Sequence, residues 1–476
     1  MNRVLASMFA LSIVTIASAE EASDKLRQEF EAYKLQSNQR IQALEREPSG
    51  DHLTPNQQGM LADRNTLDFE FHGYFRAGLG VNGNGDAMEA FKAPNAGAKY
   101  RLGNEAEAYA EATLQQNFRS KALIENNVDF FTKITLAYVT PTMDNNNFDT
   151  TTSLREIYAG ARGVWNGQKD AQFWAGNRFY EHLNIHMNDF FFRDMAGFGG
   201  GIEDVAIGDE MKFAFAWLGG SIDQLDSSGI TYQNDYHFNK NTFDFRLYNI
   251  PLSFGKLELI ADLAYFAGDT LENESTITNT IDDSFGWALG AILKSELNAN
   301  MDNQFTIQYG TGAADNFRAV ITAPQGVDLT SEAFIPVDDT KRLRITDDII
   351  LDTGSPISLQ FVAIYEHYDN GFDTANTIDW ISVGIRPVYH FNDFFSLAFE
   401  AGADYTHQKD ELEGVVGKFT LAPQLQPAAT YFSRPSIRAF CTYAVWSDGF
   451  KGAVASTGYG NETQGLSLGL QMEAWW

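Results

Sequence analysis

The sequence contains one cysteine, Cys441, among 476 residues. A single cysteine excludes an internal disulfide and a zinc site built from cysteines. Basic residues are also few: 34 Lys and Arg accompany 63 Asp and Glu, which gives a formal net charge of −29. Nucleic-acid-binding surfaces need clustered positive charge to neutralise phosphates. The composition therefore argues against a nucleic-acid partner.

Long apolar runs are absent beyond the N-terminal residues. A membrane-spanning helix needs about 18 to 20 consecutive apolar residues. Aromatic residues are plentiful, with 37 Phe, 19 Tyr and 8 Trp, and aromatic girdles are typical of transmembrane barrels, whose strands are half polar. Two classes remain open, a transmembrane β-barrel and a large soluble β-sandwich or jelly roll.

Residues 67–79 alternate between apolar and polar side chains without interruption. A period of two predicts a β-strand, and this one is longer than the usual five or six residues of soluble strands. A cation at mid-bilayer on a barrel surface costs about 2–4 kcal/mol. We therefore expect Asp68, Glu70, Arg76 and the intervening Tyr74 to face an aqueous lumen.

Residues 465–476 repeat the pattern, with Leu466 and Met472 in the apolar row and Glu473 and Trp475 in the polar row. Hydrocarbon does not tolerate an open sheet edge, so the first and last strands are predicted to pair. Further strands are predicted at 101–115, 257–265, 381–389, 395–405 and 434–446.

Turn residues divide the connections into two kinds. Residues 166–167 and 392–393 predict short hairpins, which in outer-membrane barrels face the periplasm. Stretches rich in Asn, Asp, Thr and Gly predict external loops at 140–153, 269–284, 310–342 and 408–418.

The N-terminal region divides into three predicted parts before a barrel at 67–476. Residues 1–19 have a basic start, an apolar stretch and an Ala-Ser-Ala ending, as in a secretory signal. Residues 20–47 carry apolar positions three and four apart and predict a periplasmic coiled-coil stalk, with a lone frayed helix as the alternative. Residues 48–66 read as a linker.

Two motifs resemble known sites but lack their context. Gly78, Gly80 and Gly83 have dinucleotide-binding spacing, yet a turn follows them where a helix is needed. His182 and His186 have zinc-ligand spacing, but their flanks predict a strand entering a loop. We expect no catalytic residue, metal or cofactor.

Four aromatic residues fall on the polar rows: Tyr74, Tyr109, Phe432 and Trp475. Sugars present C–H faces that pack on aromatic rings, and hydroxyls that bind charged groups. These aromatics, accompanied by inward-facing charged residues, predict a saccharide track. The alternative is that they fill packing defects or belong to interfacial belts.

Seven blocks of the chain resemble the maltoporin family, in the family's order, and the resemblance covers about residues 67–476. The blocks are 71–76 (FHGYFR), 100–105 (YRLGNE), 176–180 (GNRFY), 186–190 (HMNDF), 384–387 (GIRP), 433–438 (SRPSIR) and 471–476 (QMEAWW). The resemblance implies a homotrimer of 18-stranded antiparallel transmembrane barrels, each with a pore narrowed by an infolded third loop.

The resemblance also assigns residues to the family's aromatic slide and polar track. Phe432 stands where maltoporin has Trp, and Asp302 stands where the slide aromatic near the periplasmic exit would be. Phe148 corresponds, with a one-residue gap, to the aromatic that a neighbouring subunit donates. The slide would comprise Tyr74, Tyr109, Phe148, Phe432 and Trp475, and the polar track Arg76, Arg101, Glu111, Arg155 and Asp189.

The constriction departs from the family. His182, Asn184 and Phe191 occupy places where maltoporin has Arg, Asp and a pore-narrowing Tyr. The throat loses an ionised pair and a hydroxyl, which argues against strict maltodextrin selectivity. The N-terminal stalk is similar to that of sucrose- and aryl-glucoside-type porins of the same family.

The sequence thus predicts a passive, sugar-selective channel in a Gram-negative outer membrane. Its partners would be sugars, outer-membrane lipid and two further copies of the chain. The alternatives are a general diffusion porin with little sugar selectivity, a loop-based adhesin or phage-docking barrel, and, least favoured, an outer-membrane hydrolase.

Overall fold

The computed structural model describes residues 68–140, 151–222, 238–272, 278–298, 301–320, 334–335, 337–352, 356–372 and 377–476. The predicted signal, stalk and linker (1–66) and Phe148 lie outside these ranges. Within them, no helix is long and apolar enough to span a membrane.

Eighteen antiparallel strands form one sheet. The strands are β1 (Asp68–Asn82), β2 (Ala108–Phe118), β3 (Asp129–Thr140), β4 (Thr151–Arg162), β5 (Gln172–Arg178), β8 (Gly197–Ile207), β9 (Met211–Ile222), β10 (Phe238–Leu252), β11 (Gly255–Phe266), β14 (Ser284–Asn298), β15 (Met301–Thr311), β17 (Lys341–Asp352), β18 (Ile357–Asp369), β19 (Thr377–His390), β20 (Phe395–Gln408), β21 (Glu413–Leu425), β22 (Ser436–Trp446) and β23 (Gln464–Trp475).

The first and last strands pair and close the sheet, with Tyr74 opposite Trp475 and Arg76 opposite Glu473. Closure leaves no free edge. It confirms the predicted 18-stranded barrel and removes the soluble sandwich as an alternative.

Smaller elements lie in the connections. Two hairpin strands, β6 (His182–Ile185) and β7 (Phe190–Asp194), form a separate sheet, as do β12 (Asp269–Glu272), β13 (Thr278–Ile281) and β16 (Phe334–Ile335). Among the residues that the structure describes, the helices are α1 (Lys121–Asn126), α2 (Ser456–Tyr459) and 3-10 turns at Gly312–Ala314, Val337–Asp339 and Asp448–Phe450.

Each barrel strand alternates between a lumen face and an outer face. In β19, Trp380 and Arg386 are buried and face inward, whereas Ile381 and Val383 are exposed on the outer face. Cys441 is likewise exposed on the outer face of β22, among apolar neighbours. The alternation predicted from sequence is therefore the one that the barrel uses.

Two predictions about connections are wrong. Residues 101–107 belong to no strand, because β2 begins at Ala108. Residues 408–418 are not a long loop, because β20 continues to Gln408 and β21 begins at Glu413. In the first case, the apolar Leu102 and Ala106 pack inside the barrel and not against lipid.

Residues 83–107 form the first infolded segment. Tyr100 packs on Gly384 and Gly402, two lumen-facing glycines of β19 and β20, and its hydroxyl lies 2.8 Å from Ser382 Oγ. Asn104 accepts a hydrogen bond from the backbone of Phe91 (2.8 Å) and donates to the Phe91 carbonyl (2.9 Å). These contacts hold the segment against the inner wall.

Residues 179–196 form the second infolded segment, which contains the β6–β7 hairpin. Wall arginines hold its backbone: Arg344 donates to the Phe192 carbonyl (2.7 Å) and Arg386 to the Met187 carbonyl (3.3 Å). Arg193 of the hairpin pairs with Asp262 of β11 (2.8 Å) and with Asp244, its neighbour on the adjacent strand β10. The hairpin is thus fixed across the lumen.

We predict that Gly402→Val lowers stability, because its side chain would overlap the Tyr100 ring. Overpacking of this kind costs about 1–3 kcal/mol. Gly417→Val in β21 is the matched control, since the atoms nearest to a Cβ there, in Val445 and Phe419, lie at ordinary distances of 3.5 and 3.9 Å. The measurement is urea unfolding of the detergent-solubilised barrel, and equal midpoints for both variants would contradict the packing described here.

Candidate functional site

Four aromatic rings form a continuous aromatic ladder inside the barrel: Tyr109, Tyr74, Trp475 and Phe432. Their consecutive ring centroids are 6.0, 6.3 and 6.4 Å apart, and Tyr74 and Trp475 are nearly parallel. All four were predicted from the sequence, and the barrel brings them together.

Strand register explains the ladder. Tyr74, Tyr109 and Trp475 lie on β1, β2 and β23, which are neighbours at the closure of the sheet. Phe432 follows from the connection between β21 and β22. By contrast, Trp476 lies on the outer face and packs against Phe75 (4.8 Å between centroids). Consecutive tryptophans therefore face opposite sides.

The buried carboxylate of Glu473 binds Tyr74 of the ladder and two arginines next to the ladder. Glu473, 3% exposed, lies 2.7 Å from Arg434 and 3.1 Å from Arg101, and it accepts a hydrogen bond from the Tyr74 hydroxyl (3.1 Å). Arg434 in turn lies over the Trp475 ring, 4.2 Å from its centroid. The carboxylate thus fixes Tyr74 directly and through Arg101, and it fixes Trp475 through Arg434.

Arg101 lies beneath the ladder. It is 5% exposed, pairs with Glu105 (2.7 Å) and donates to the Tyr74 hydroxyl (2.9 Å). Its geometry suits it to positioning Tyr74, whereas the sequence placed it on the polar track.

His186, on the second infolded segment, packs edge-on against two rings of the ladder, Phe432 and Trp475. Its ring centroid is 5.4 Å from that of Phe432 and 5.7 Å from that of Trp475. Burial lowers the pKa of His186 well below its usual value. The positive charges of Arg101 and Arg434 lower it further, and the negative charge of Glu473 opposes them. The imidazole is therefore neutral at pH 7.

A polar lane runs beside the ladder. Arg76 pairs with Asp189 (3.0 Å) and Glu107 (3.0 Å), and its guanidinium lies 5.0 Å from the Tyr109 ring centroid. The Tyr109 hydroxyl donates to Glu111. The structure brings together Arg76, Glu111 and Asp189 of the predicted track. Glu107 also pairs with Arg76 but was not among the predicted track residues.

The throat contains a column of stacked rings. His182 lies between Phe179 (4.6 Å between centroids, 7° between planes) and Phe191 (4.0 Å, 27°). Arg155 caps the column 5.1 Å from the Phe179 centroid. The sequence placed Arg155 on the polar track. In the structure it contacts the column of rings in the throat.

Asp194 orients the imidazole of His182, with Oδ1 2.7 Å from Nδ1. Burial raises the pKa of Asp194, but the hydrogen bond and charge of His182, together with Arg318, outweigh burial and lower it below its usual value. Because a carboxylate only accepts hydrogen bonds, His182 donates through Nδ1 to Asp194. Residues sequence reasoning missed here are Phe179 and Asp194.

The opposite wall is polar. Asn184, exposed at the hairpin, lines a cavity of about 810 Å³ together with Lys256, Lys294 and Asp302. Asp302 lies on β15, across the barrel from the ladder. Position 302 thus carries an aspartate where the family's slide has its aromatic residue near the periplasmic exit.

A closed 18-stranded barrel with infolded segments and a lumen lined by charged and aromatic groups is an outer-membrane porin. The model of the LamB porins matches residues 69–476. The chain belongs to this family, the maltoporin family, as the seven sequence blocks indicated.

Three solved structures are similar to this chain at low identity. Acinetobacter baumannii OccAB1 is 12% identical with a TM-score of 0.46, and the match covers 86% of this chain and 97% of that one. Pseudomonas aeruginosa OccD3 is 9% identical with a TM-score of 0.42, with coverages of 87% and 92%. Salmonella typhi OmpF, in a complex with daunomycin, is 10% identical with a TM-score of 0.38, with coverages of 86% and 98%.

We predict a pH effect from His186. Because its pKa is lower in the folded than in the unfolded chain, its contribution to stability is complete above about pH 6.5 and is lost as the pH falls further. Wild type should lose up to about 1.4 kcal/mol per pH unit relative to His186→Gln below pH 6.5. Urea unfolding of both proteins between pH 7.5 and 5 measures this, and a constant difference would refute it.

Proposed function

We propose that this porin conducts sugars by guided diffusion along the aromatic ladder. The observation that carries the proposal is the unbroken run of four lumen-facing rings at 6.0–6.4 Å. Sugar C–H faces pack on such rings, and the adjacent Arg76, Glu111 and Asp189 offer donors and acceptors to hydroxyls.

The affinity must be moderate. A transported molecule has to bind strongly enough to enter and weakly enough to leave. A dissociation constant of about 1 mM, near −4 kcal/mol, satisfies both conditions. Passage needs no covalent step, so the proposal assigns no catalytic residue or cofactor.

The throat would set selectivity. His182, Asn184, Phe191 and Arg155 meet the sugar where the hairpin narrows the lumen. An imidazole held between two phenyl rings offers fewer hydrogen bonds than the Arg and Asp of maltoporin, so we infer a substrate range broader than maltodextrins, including disaccharides.

Export and assembly complete the proposal. We infer that residues 1–19 direct export, that 20–47 form a periplasmic stalk joined through 48–66, and that three copies assemble as the family resemblance implies. Phe148 would then extend the ladder of a neighbouring subunit. Arg101 would act by positioning Tyr74.

A general diffusion porin is the second candidate, favoured by the exposed Asp302 where the family's exit aromatic is expected. Liposome swelling separates the two. Equal rates for maltose, sucrose and non-sugar solutes of similar size would support the general porin.

We predict that Trp475→Ala and Tyr74→Ala each weaken sugar block of ion current about three- to tenfold, since each removes a stacking surface worth about 0.5–1.5 kcal/mol. The measurement is current block in planar bilayers with maltose, maltotriose, sucrose and an aryl glucoside. Conductance should persist, because the barrel remains open.

Trp217→Ala and Tyr443→Ala are the matched controls, since both side chains are exposed on the outer face. They should leave the block unchanged. Unaltered block in both ladder variants would remove the ladder from the transport path.

A further inference from the structure

Residues 312–320 follow β15 and form a third infolded segment. A glycine of the wall makes room for it, since a side chain at Gly286 of β14 would overlap the backbone nitrogen of Ala314. Phe317 is 2% exposed, and the Arg344 guanidinium lies over its ring, 5.0 Å from the centroid. The segment is therefore packed on the inner wall of the barrel.

The third infolded segment pairs with the second one at the throat. The Asp194 amide donates to the Phe317 carbonyl (3.1 Å), and the Ala319 amide donates to the Asp194 carbonyl (3.3 Å). Lys240 of β10, which is fully buried, donates to the Arg318 carbonyl (2.7 Å). The backbone of Arg318 is thus held beside Asp194 before any ligand arrives, which reduces the entropic cost of binding.

The side chain of Arg318 extends from this fixed backbone and is 39% exposed. Its one ionic partner among the described residues is Asp194, with Nη1 3.8 Å from Oδ2. That distance is too long for a hydrogen bond. The other carboxylate oxygen of Asp194, Oδ1, accepts from His182 (2.7 Å). The five N–H donors of the guanidinium therefore have no acceptor in the part of the chain that the structure describes.

The charges around Arg318 decide what kind of ligand fits. Two cations of the wall, Lys240 and Arg344, interact with Arg318. Their own acidic neighbours are Asp262, Asp315 and Glu366. The partly exposed charges that remain are the Arg318 guanidinium and the Asp194 carboxylate. One cation beside one anion suits a neutral ligand that both donates and accepts hydrogen bonds.

We propose that Arg318 determines specificity at the throat by donating hydrogen bonds to a hydroxyl of a passing sugar, while Asp194 accepts from an adjacent hydroxyl. The inference rests on the proposed function and deepens it, because it selects sugars with neighbouring free hydroxyls over deoxy sugars. A hydroxyl both donates and accepts, so two vicinal hydroxyls match this pair. Positions 182 and 184 carry no ionised pair, and Arg318 with Asp194 supplies one from other positions.

The test is current block in planar bilayers by glucose and by its monodeoxy analogues, each of which lacks one hydroxyl. Wild type should bind at least one deoxy sugar about fivefold more weakly than glucose, because a missing hydroxyl leaves a charged donor without its hydrogen bond. In Arg318→Met, whose side chain has no charge, that ratio should fall below about twofold. A merely structural effect would weaken glucose and the deoxy sugar alike and would leave the ratio unchanged.

Arg119→Met is the matched control. The Arg119 side chain is 38% exposed, and its guanidinium already pairs with Asp68 (2.9 Å) and Asp129 (3.0 Å), so this variant should keep the wild-type ratio. Arg318→Lys retains the charge beside Asp194 without the guanidinium fork and should show an intermediate ratio. Conductance of each variant shows that its barrel has formed. If Arg318→Met forms no channels, the ratio in Arg318→Lys decides, and a value equal to that of wild type overturns the proposal.

The outcomes separate this inference from the function on which it rests. An unchanged ratio in Arg318→Met, or wild-type block that does not distinguish glucose from any deoxy sugar, overturns the role of Arg318 and leaves the sugar channel standing. Absence of block by any sugar in wild type overturns both.

Discussion

Charged side chains on these strands have one direction available, because a charge on the lipid face is costly. They point into the lumen, where burial requires each to find a partner. Arg344 and Arg386 donate to backbone carbonyls of the second infolded segment. Arg193 of that segment pairs with Asp262 and Asp244. The constriction is therefore a result of charge pairing inside the barrel.

The same constraint shapes the ladder. The rings present one continuous surface only if their faces stay aligned, and alignment comes from the buried charges behind them. One of these buried charges, Glu473, contacts Arg101, Arg434 and the Tyr74 hydroxyl at the same time. Removing one partner of such a group leaves an unpaired buried charge, which costs about 3–5 kcal/mol. The ladder and the network behind it thus meet at Tyr74, whose ring belongs to the ladder and whose hydroxyl binds Glu473 and Arg101.

Much of the fold could be predicted from the sequence, because strand alternation depends on local order alone. The inward position of Trp475 and the outward position of Trp476 follow from it. The first infolded segment could not, since Leu102 and Ala106 alternate as they would in a strand and only their packing against the inner wall distinguishes the two. The sequence placed His182 and Phe191 at the constriction but did not connect them with Arg155 and Phe179, because these two residues lie on different elements and no spacing rule joins them.

The ladder spans the seam of the barrel. Tyr74 belongs to the first strand and Trp475 to the last, 401 positions later by the numbering, so these rungs meet only when the ends of the sheet join. A barrel that is not yet sealed therefore has an incomplete ladder. Closure of the sheet and assembly of the continuous aromatic surface are one event, because the same pair of strands makes both.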